Sequence, residues 1–270
     1  MRKALRYLLL LLVFGISIGP FLWQLSTSLK GAAEDIYAYP PQFFPSDVTG
    51  GNYSRVAGVI PVWDFALNSL LVAVANVVAN CVGAAMAGYA LARMRFRGKR
   101  FALLAFVLAL LVPGETIMIS QYLMMRSAGL TDTLVAVVLP GAISALNVLL
   151  MRNAFTALSY EVEDAAMIDG ANSWQRFARI AVPSVKGTIA VVAIFSFMFS
   201  WDDFLWPLIV LRDPGKYTLT IGLNYLQGTF ASDQRLIAAG TIIAVAPLLL
   251  LFVMLQRYFF RGVGEGAVKG

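Results

Sequence analysis

Residues 159–183 read SYEVEDAAMIDGANSWQRFARIAVP and hold the densest set of groups able to act on a partner. Ser159 is placed to cap a helix, and Glu161, Glu163 and Asp164 then fall at its positive end. Ala165 and Ala166 give that helix a flat face of small side chains. Gly170 can take the left-handed conformation that ends a helix. Asn172 followed by Gln175 is a capping-box pattern for a second helix, which Pro183 ends or bends. Two short helices meeting at a glycine, acidic at one end and small along one side, suit docking into a partner's groove. They equally suit an ordinary solvated loop.

A second set of candidates lies inside apolar runs, where polar groups are costly and mark function by default. On a continuous helix Asp202 shares a face with Phe195, Phe199 and Trp206, at offsets of −7, −3 and +4. A carboxylate between rings can accept hydrogen bonds from a sugar's hydroxyls while the rings stack on its C–H faces. Asp203 points about 100° away from Asp202, so only one of the two faces a path. Trp201, Glu115 after the Pro113-Gly114 break, and Asn147 are further path candidates. The competing reading puts Asp202 and Asp203 in water at the outer interface, with Trp201 and Trp206 in an aromatic belt.

What is missing narrows the chemistry further. The chain has no histidine, which excludes His-based catalysis and His-ligated metal. Its single cysteine, Cys81, excludes an internal disulfide and a Cys-rich metal site. There is no G-x-x-x-x-G-K-[ST] loop for nucleotide and no convincing nucleophile–base pair.

The elements that must position these groups are apolar. Of the 270 residues, 59% are hydrophobic and only 13% charged, against about a quarter charged in soluble domains; the mean hydropathy is +0.75. The excess must face lipid. Six runs are long enough to span, over about 5–25, 65–92, 101–118, 134–155, 188–210 and 236–255, in one membrane domain covering 1–270. The first run has no small-residue cleavage site behind it and reads as an uncleaved helix. Residues 26–64, with Pro40-Pro41, Pro45 and Gly50-Gly51, read as an exposed outer loop. Gly83 with Ala87, and Ala84 with Gly88, are small-xxx-small pairs that let helices approach closely, and Asn76 and Asn80 are expected to face protein. With both termini in the cytoplasm, fifteen of the 21 Lys and Arg lie inside, including five in 93–100. Outside remain Lys30, Arg55, Arg126, Arg212, Lys216 and Arg235. That bias puts residues 156–187 in the cytoplasm, and the net charge of +6 reflects basic loops rather than nucleic-acid binding.

The loop resembles the EAA loop of ABC-transporter permeases, E-A-A-x-x-x-G, nine residues, then I-x-L-P. Asp164-Ala165-Ala166 stands for E-A-A, Gly170 falls at the required spacing, and Ile180-Ala181-Val182-Pro183 matches the end. The longer carbohydrate-permease form is met by Ile168-Asp169-Gly170-Ala171. Ser28-Leu29-Lys30, Asn52-Tyr53, Asn68-Ser69, Tyr89-Ala90-Leu91-Ala92-Arg93 and Phe96-Arg97-Gly98 follow the family's order. Residues 201–208 resemble its W-N-x-F-L-x-P-L, and Gly266-Ala267-Val268-Lys269-Gly270 its ending. The chain departs from the pattern at Asp164 for glutamate, at Ser159 and Gly187 where proline is frequent, and at Asp202 for asparagine. The resemblance is to carbohydrate-importer permeases, similar to the maltose permease pair. It implies an all-α integral membrane protein of six helices with the type I ABC-importer permease fold, in a bacterial inner membrane, and not an enzyme. It further implies that Asp164, Ala165, Ala166, Asp169 and Gly170, with Glu163 beside them, couple to a cytoplasmic ATPase dimer. ATP and Mg would be bound there and no cofactor in this chain. A second, non-identical permease and an extracellular solute-binding protein are the other implied partners. A glycerol-linked phosphodiester or sugar alcohol is the alternative solute class, and a self-powered secondary transporter the alternative mechanism.

Overall fold

The computed structural model describes residues 2–229 and 233–267; Val268, Lys269 and Gly270 of the C-terminal match lie outside them. Helices follow one another as α1 (Arg2–Ser28), α2 (Gly51–Val59), α3 (Val62–Arg93), α4 (Lys99–Ala109), α5 (Gly114–Ser127), α6 (Leu134–Val138) and α7 (Ala145–Ala157). Then come α8 (Tyr160–Ile168), α9 (Ser173–Arg176), α10 (Val182–Ser184), α11 (Lys186–Asp202), α12 (Leu205–Val210), α13 (Leu219–Thr229) and α14 (Gln234–Ala267). Among the described residues there is no β-strand.

Three helical stretches, Leu5–Ser28, Val62–Arg93 and Gln234–Met254, are each long and apolar enough to cross a membrane. Three bent helix pairs are, taken together, each long and apolar enough for one more crossing. Lys99–Ala109 and Gly114–Ser127 meet at 107°, Leu134–Gly141 and Ala145–Ala157 at 47°, and Ser173–Ser184 and Lys186–Asp202 at 78°. Counting each pair as one gives the expected six. The 107° bend falls at residues 110–113, ahead of Pro113-Gly114, where the sequence placed a break. The span expected over 188–210 is different: its helix stops at Asp202, and α12 restarts after Asp203-Phe204.

The chain divides into two compact units. In the first, Met1–Ala66 with Thr218–Leu249, the stretch expected to be an open loop is tightly tied. Lys30 is buried, pairs with Glu34 at 3.2 Å and donates to the Gln42 carbonyl at 2.6 Å. The other Glu34 oxygen accepts the Ser46 N–H at 3.0 Å. Asn52 donates to the carbonyls of Ser28 and Lys30, both at 2.9 Å. Arg55 meets Asp233 at 2.9 Å, and Arg235 donates to the carbonyls of Ala32 and Glu34. The carbonyls of Ser28, Lys30, Ala32, Glu34 and Gln42 and the Ser46 N–H thus gain side-chain partners that water would otherwise supply.

The second unit, Leu67–Tyr217 with Leu250–Gly270, has its core where α3, α7 and the segment after α9 meet. Tyr89, Phe155 and Phe177 form a ring cluster with centroids 5.1 to 6.4 Å apart. The small residues of α3 admit this packing. A Cβ on Gly83 would lie 2.7 Å from the Ile143 side chain, and one on Gly88 would lie 2.8 Å from the backbone nitrogen of Arg152. In the turn between α5 and α6, Asp132 accepts the backbone N–H groups of Arg212 and Asp213 at 2.9 and 3.0 Å and pairs with Lys216 at 2.9 Å. Those bonds, the Asp213 and Arg212 N–H groups foremost, hold its carboxyl at about 2.

Gly88 meets backbone, which cannot swing aside, whereas Gly58 in α2 has nothing within 4 Å. Gly88→Ala should therefore lower stability by about 1–3 kcal/mol through overpacking, and Gly58→Ala should leave it unchanged or slightly raised. Thermal unfolding of the detergent-solubilised protein measures both.

Candidate coupling loop and solute cavity

Local chemistry builds the 156–187 loop much as the sequence dictates. Ser159 Oγ accepts the Glu161 N–H at 3.2 Å and opens α8. Gly170, at φ +82°, closes it; the Ala171 N–H returns to the Ala166 carbonyl at 2.9 Å. Asn172 and Gln175 form both bonds of a capping box, each 2.9 Å long. Pro183 does not end α9. A π-turn over Phe177–Ala181 carries the chain on into α10, and the 78° bend comes at Val185.

One acidic residue of this loop points inward. Glu163 Oε1 lies 3.3 Å from Arg93 Nε, with only 8% and 2% of their side chains exposed. Tyr89 Oη donates to Glu163 Oε2 at 3.1 Å. Arg93 also donates to the Leu158 carbonyl, and its guanidinium sits 4.0 Å from the Tyr160 ring centre. Grouping Glu163 with Asp164 for docking therefore needs correction: the two point about 100° apart on α8, and Glu163 is spent on α3. Asp164, Ala165, Asp169 and Gly170 are exposed and Ala166 is half-buried. Beside them stand exposed apolar side chains, Val162, Met167 and Ile168, the last 87% exposed; the sequence reading used Ile168 only as a motif match and did not consider the other two. The pairing role of Arg93 was also missed; the residue entered only as one cation of a basic cluster and as the end of the Tyr89–Arg93 motif. Its place at the end of α3, after four apolar residues, was the available signal.

The path candidates gather around a cavity of about 350 Å³ inside the second unit. Phe199, Trp206, Asp203, Glu115 and Asn147 line it; Asp202 and Trp201 do not. Because α11 ends at Asp202, the face drawn through Asp202 and Trp206 does not exist. Asp203, in the break, turns to the cavity and accepts the Trp206 N–H at 3.4 Å. Trp206 is anchored by its Nε1, which donates to the Ala136 carbonyl at 3.0 Å. Trp201 is buried and stacks on Phe197 at 5.4 Å. The polar wall is a network. Asn80 donates to the Gly141 carbonyl at 2.8 Å, and its Oδ1 accepts from the Ser144 N–H and from Asn147 Nδ2. Asn147 Nδ2 also reaches Ser196 Oγ at 3.1 Å, and Asn76 meets Ser200 at 3.0 Å. Asn147 is 3% exposed, and its Oδ1 has no hydrogen-bond partner among the described residues.

Removing one member of the Arg93–Glu163 pair strands a buried charge. Glu163→Ala should cost about 3–5 kcal/mol, while Glu163→Met with Arg93→Met should recover most of that loss. Thermal unfolding in detergent distinguishes the two; a double variant as unstable as the single would show that packing, not charge pairing, holds the loop.

Comparison with known proteins places this geometry. The family described as binding-protein-dependent transport system inner membrane component matches residues 67–265. The arabinooligosaccharides transport system permease protein AraQ of Halalkalibacterium halodurans is 34% identical, over 84% of this chain and 82% of that one. The diacetylchitobiose uptake system permease protein DasC of Streptomyces coelicolor is 32% identical, over 93% and 91%. Among solved structures, a bacterial ABC transporter involved in the import of the acidic polysaccharide alginate contains a chain that superposes with a TM-score of 0.84. It covers 95% of this chain and 96% of that one at 24% identity, a likeness of fold. The protein belongs to the inner-membrane components of binding-protein-dependent transport systems, as a multi-pass membrane permease subunit and not an enzyme.

Proposed function

We propose that this chain is a permease subunit of an ATP-driven importer for a sugar or oligosaccharide, and that α8 and the Gly170 turn couple it to a cytoplasmic ATPase dimer. The observation that carries the coupling is the buried tie of Glu163 to Arg93 and Tyr89. It fixes one side of α8 to α3 and leaves Asp164, Ala165, Ile168 and Asp169 free on the other. A rigid knob attached to a spanning helix can carry a push; a loosely hinged loop would absorb it. Exposed Ile168 and Met167 suit an apolar groove, and Asp164 suits a basic group at its rim. ATP and Mg would belong to the partner, since no phosphate-binding loop occurs in this sequence. A second permease would complete the path, and a solute-binding protein would deliver the solute from outside. The saccharide class is supported by the two relatives named above and by the ring-and-amide character of the cavity. A transport mechanism without an ATPase finds no support in membership of this family.

Two measurements test the reading. A residue with a Cβ is strained at φ +82°, least so asparagine. Gly170→Val should abolish uptake in a protein that still inserts and assembles, and Gly170→Asn should retain part of it. ATPase activity of the Gly170→Val complex should no longer respond to the binding protein. Normal uptake by a well-expressed Gly170→Val variant would remove the coupling role.

The orientation with both termini inside is tested by labelling in a Cys81→Ser background. Arg97→Cys should react only from the cytoplasm and Tyr39→Cys, at a position 94% exposed, only from outside. The reverse pattern would overturn the placement of the coupling loop.

A further inference from the structure

The chain carries 21 Lys and Arg against 15 Asp and Glu, yet among the described residues no basic one lines the cavity in the second unit. Its two formal charges are the carboxylates of Glu115 and Asp203. The remaining polar lining comes from amides and hydroxyls, among them Asn76, Asn80, Gln121, Ser144, Ser196 and Ser200. The buried Asn147 amide, both of its N–H groups engaged by Asn80 and Ser196, contributes a carbonyl oxygen without a donor. Phe199 and Trp206 supply apolar rings. Two carboxylates, an unpaired amide oxygen and rings make a site rich in acceptors. An acceptor-rich wall is matched by the O–H donors of an uncharged saccharide. A carboxylate or sulfonate solute would meet like charge from Glu115 and Asp203, with no Lys or Arg among this chain's described lining residues to balance it, in surroundings where charge interactions are stronger than in water. Anion sites use Arg and Lys for that purpose.

We propose that this cavity is a solute site that admits uncharged saccharides and selects against acidic ones. The proposal rests on the importer reading for its solute class, but its electrostatic content can be read without any transport. In a Cys81→Ser background, Gln121→Cys places one thiol in the cavity of the assembled transporter. Its reaction rates with a trimethylammonium-bearing and a sulfonate-bearing methanethiosulfonate are each divided by the rates of the same reagents at Tyr39→Cys, which corrects for intrinsic reactivity. The cation-to-anion ratio so corrected should be about tenfold or more. It should fall toward one when Glu115→Gln and Asp203→Asn are added.

A corrected ratio of one or less, a ratio that the two neutralising substitutions leave unchanged, or a thiol inert to both reagents overturns the proposal. In whole cells, uptake of diacetylchitobiose in preference to an alginate oligomer supports the class. The opposite preference overturns the selectivity while leaving the importer reading intact.

Discussion

Burying an arginine and a glutamate together is expensive, at several kcal/mol per ion before any attraction is counted, and the loop of this protein depends on that expense being met. Arg93 and Glu163 meet it with more than each other. Tyr89 donates to the carboxylate, the Leu158 carbonyl accepts a hydrogen bond from a guanidinium N–H, and the Tyr160 ring covers the guanidinium face. Tyr89 also packs its ring on Phe155 and Phe177, so the polar tie and the aromatic core share a residue. The rotation of α8 about its own axis is set by which acid is inside. With Glu163 inside, Asp164, Ile168 and Asp169 are outside.

The cavity shows the same economy in neutral groups. Asparagine and serine side chains within apolar helices must find partners, since no water is present in the hydrocarbon to satisfy them. Asn80 serves α3, the Gly141–Ser144 bend and α7 at once. The 47° bend between Leu134–Gly141 and Ala145–Ala157 exposes backbone groups, and Asn80 and Asn76 sit beside them. A bent crossing and a polar cavity wall are therefore one arrangement: the bend frees the carbonyls and amides, and the asparagines occupy them.

What could be read in advance was local. The Ser159 cap, the Gly170 stop and the Asn172–Gln175 box each involve residues within three or four positions of one another, and short-range geometry decides them. The six crossings followed from hydropathy. Three features escaped because they are decided by tertiary contact. Neighbouring acids on a helix differ only in rotation, so nothing local distinguishes Glu163 from Asp164. The break after Asp202 is held by Trp206 reaching the Ala136 carbonyl, far away in the chain, and without that anchor the apolar run reads as one helix. The order in residues 26–64 rests on Lys30 and Asn52, most of whose partners lie 12 to 24 positions away within the segment, and on Arg235, some 200 positions further on; the segment's composition signals only turns. Asp203 lines the cavity, whereas Asp202, placed ahead of it for a face that the break removes, does not.

The separation along the chain of the two halves of the buried tie sets an order of events during synthesis. Leu158 lies 65 residues after Arg93, and Glu163 lies 74 after Tyr89. At about 5–20 residues per second, Arg93 stands as a bare cation at the end of α3 for roughly 3–15 s before its carboxylate is made. With both termini inside, it would act throughout that interval as a positive flank, the kind of charge that orients an inserting helix. Only afterwards would it be withdrawn into the protein. One side chain would then serve first as a topological signal and later as a structural rivet, the second role beginning when the first is complete.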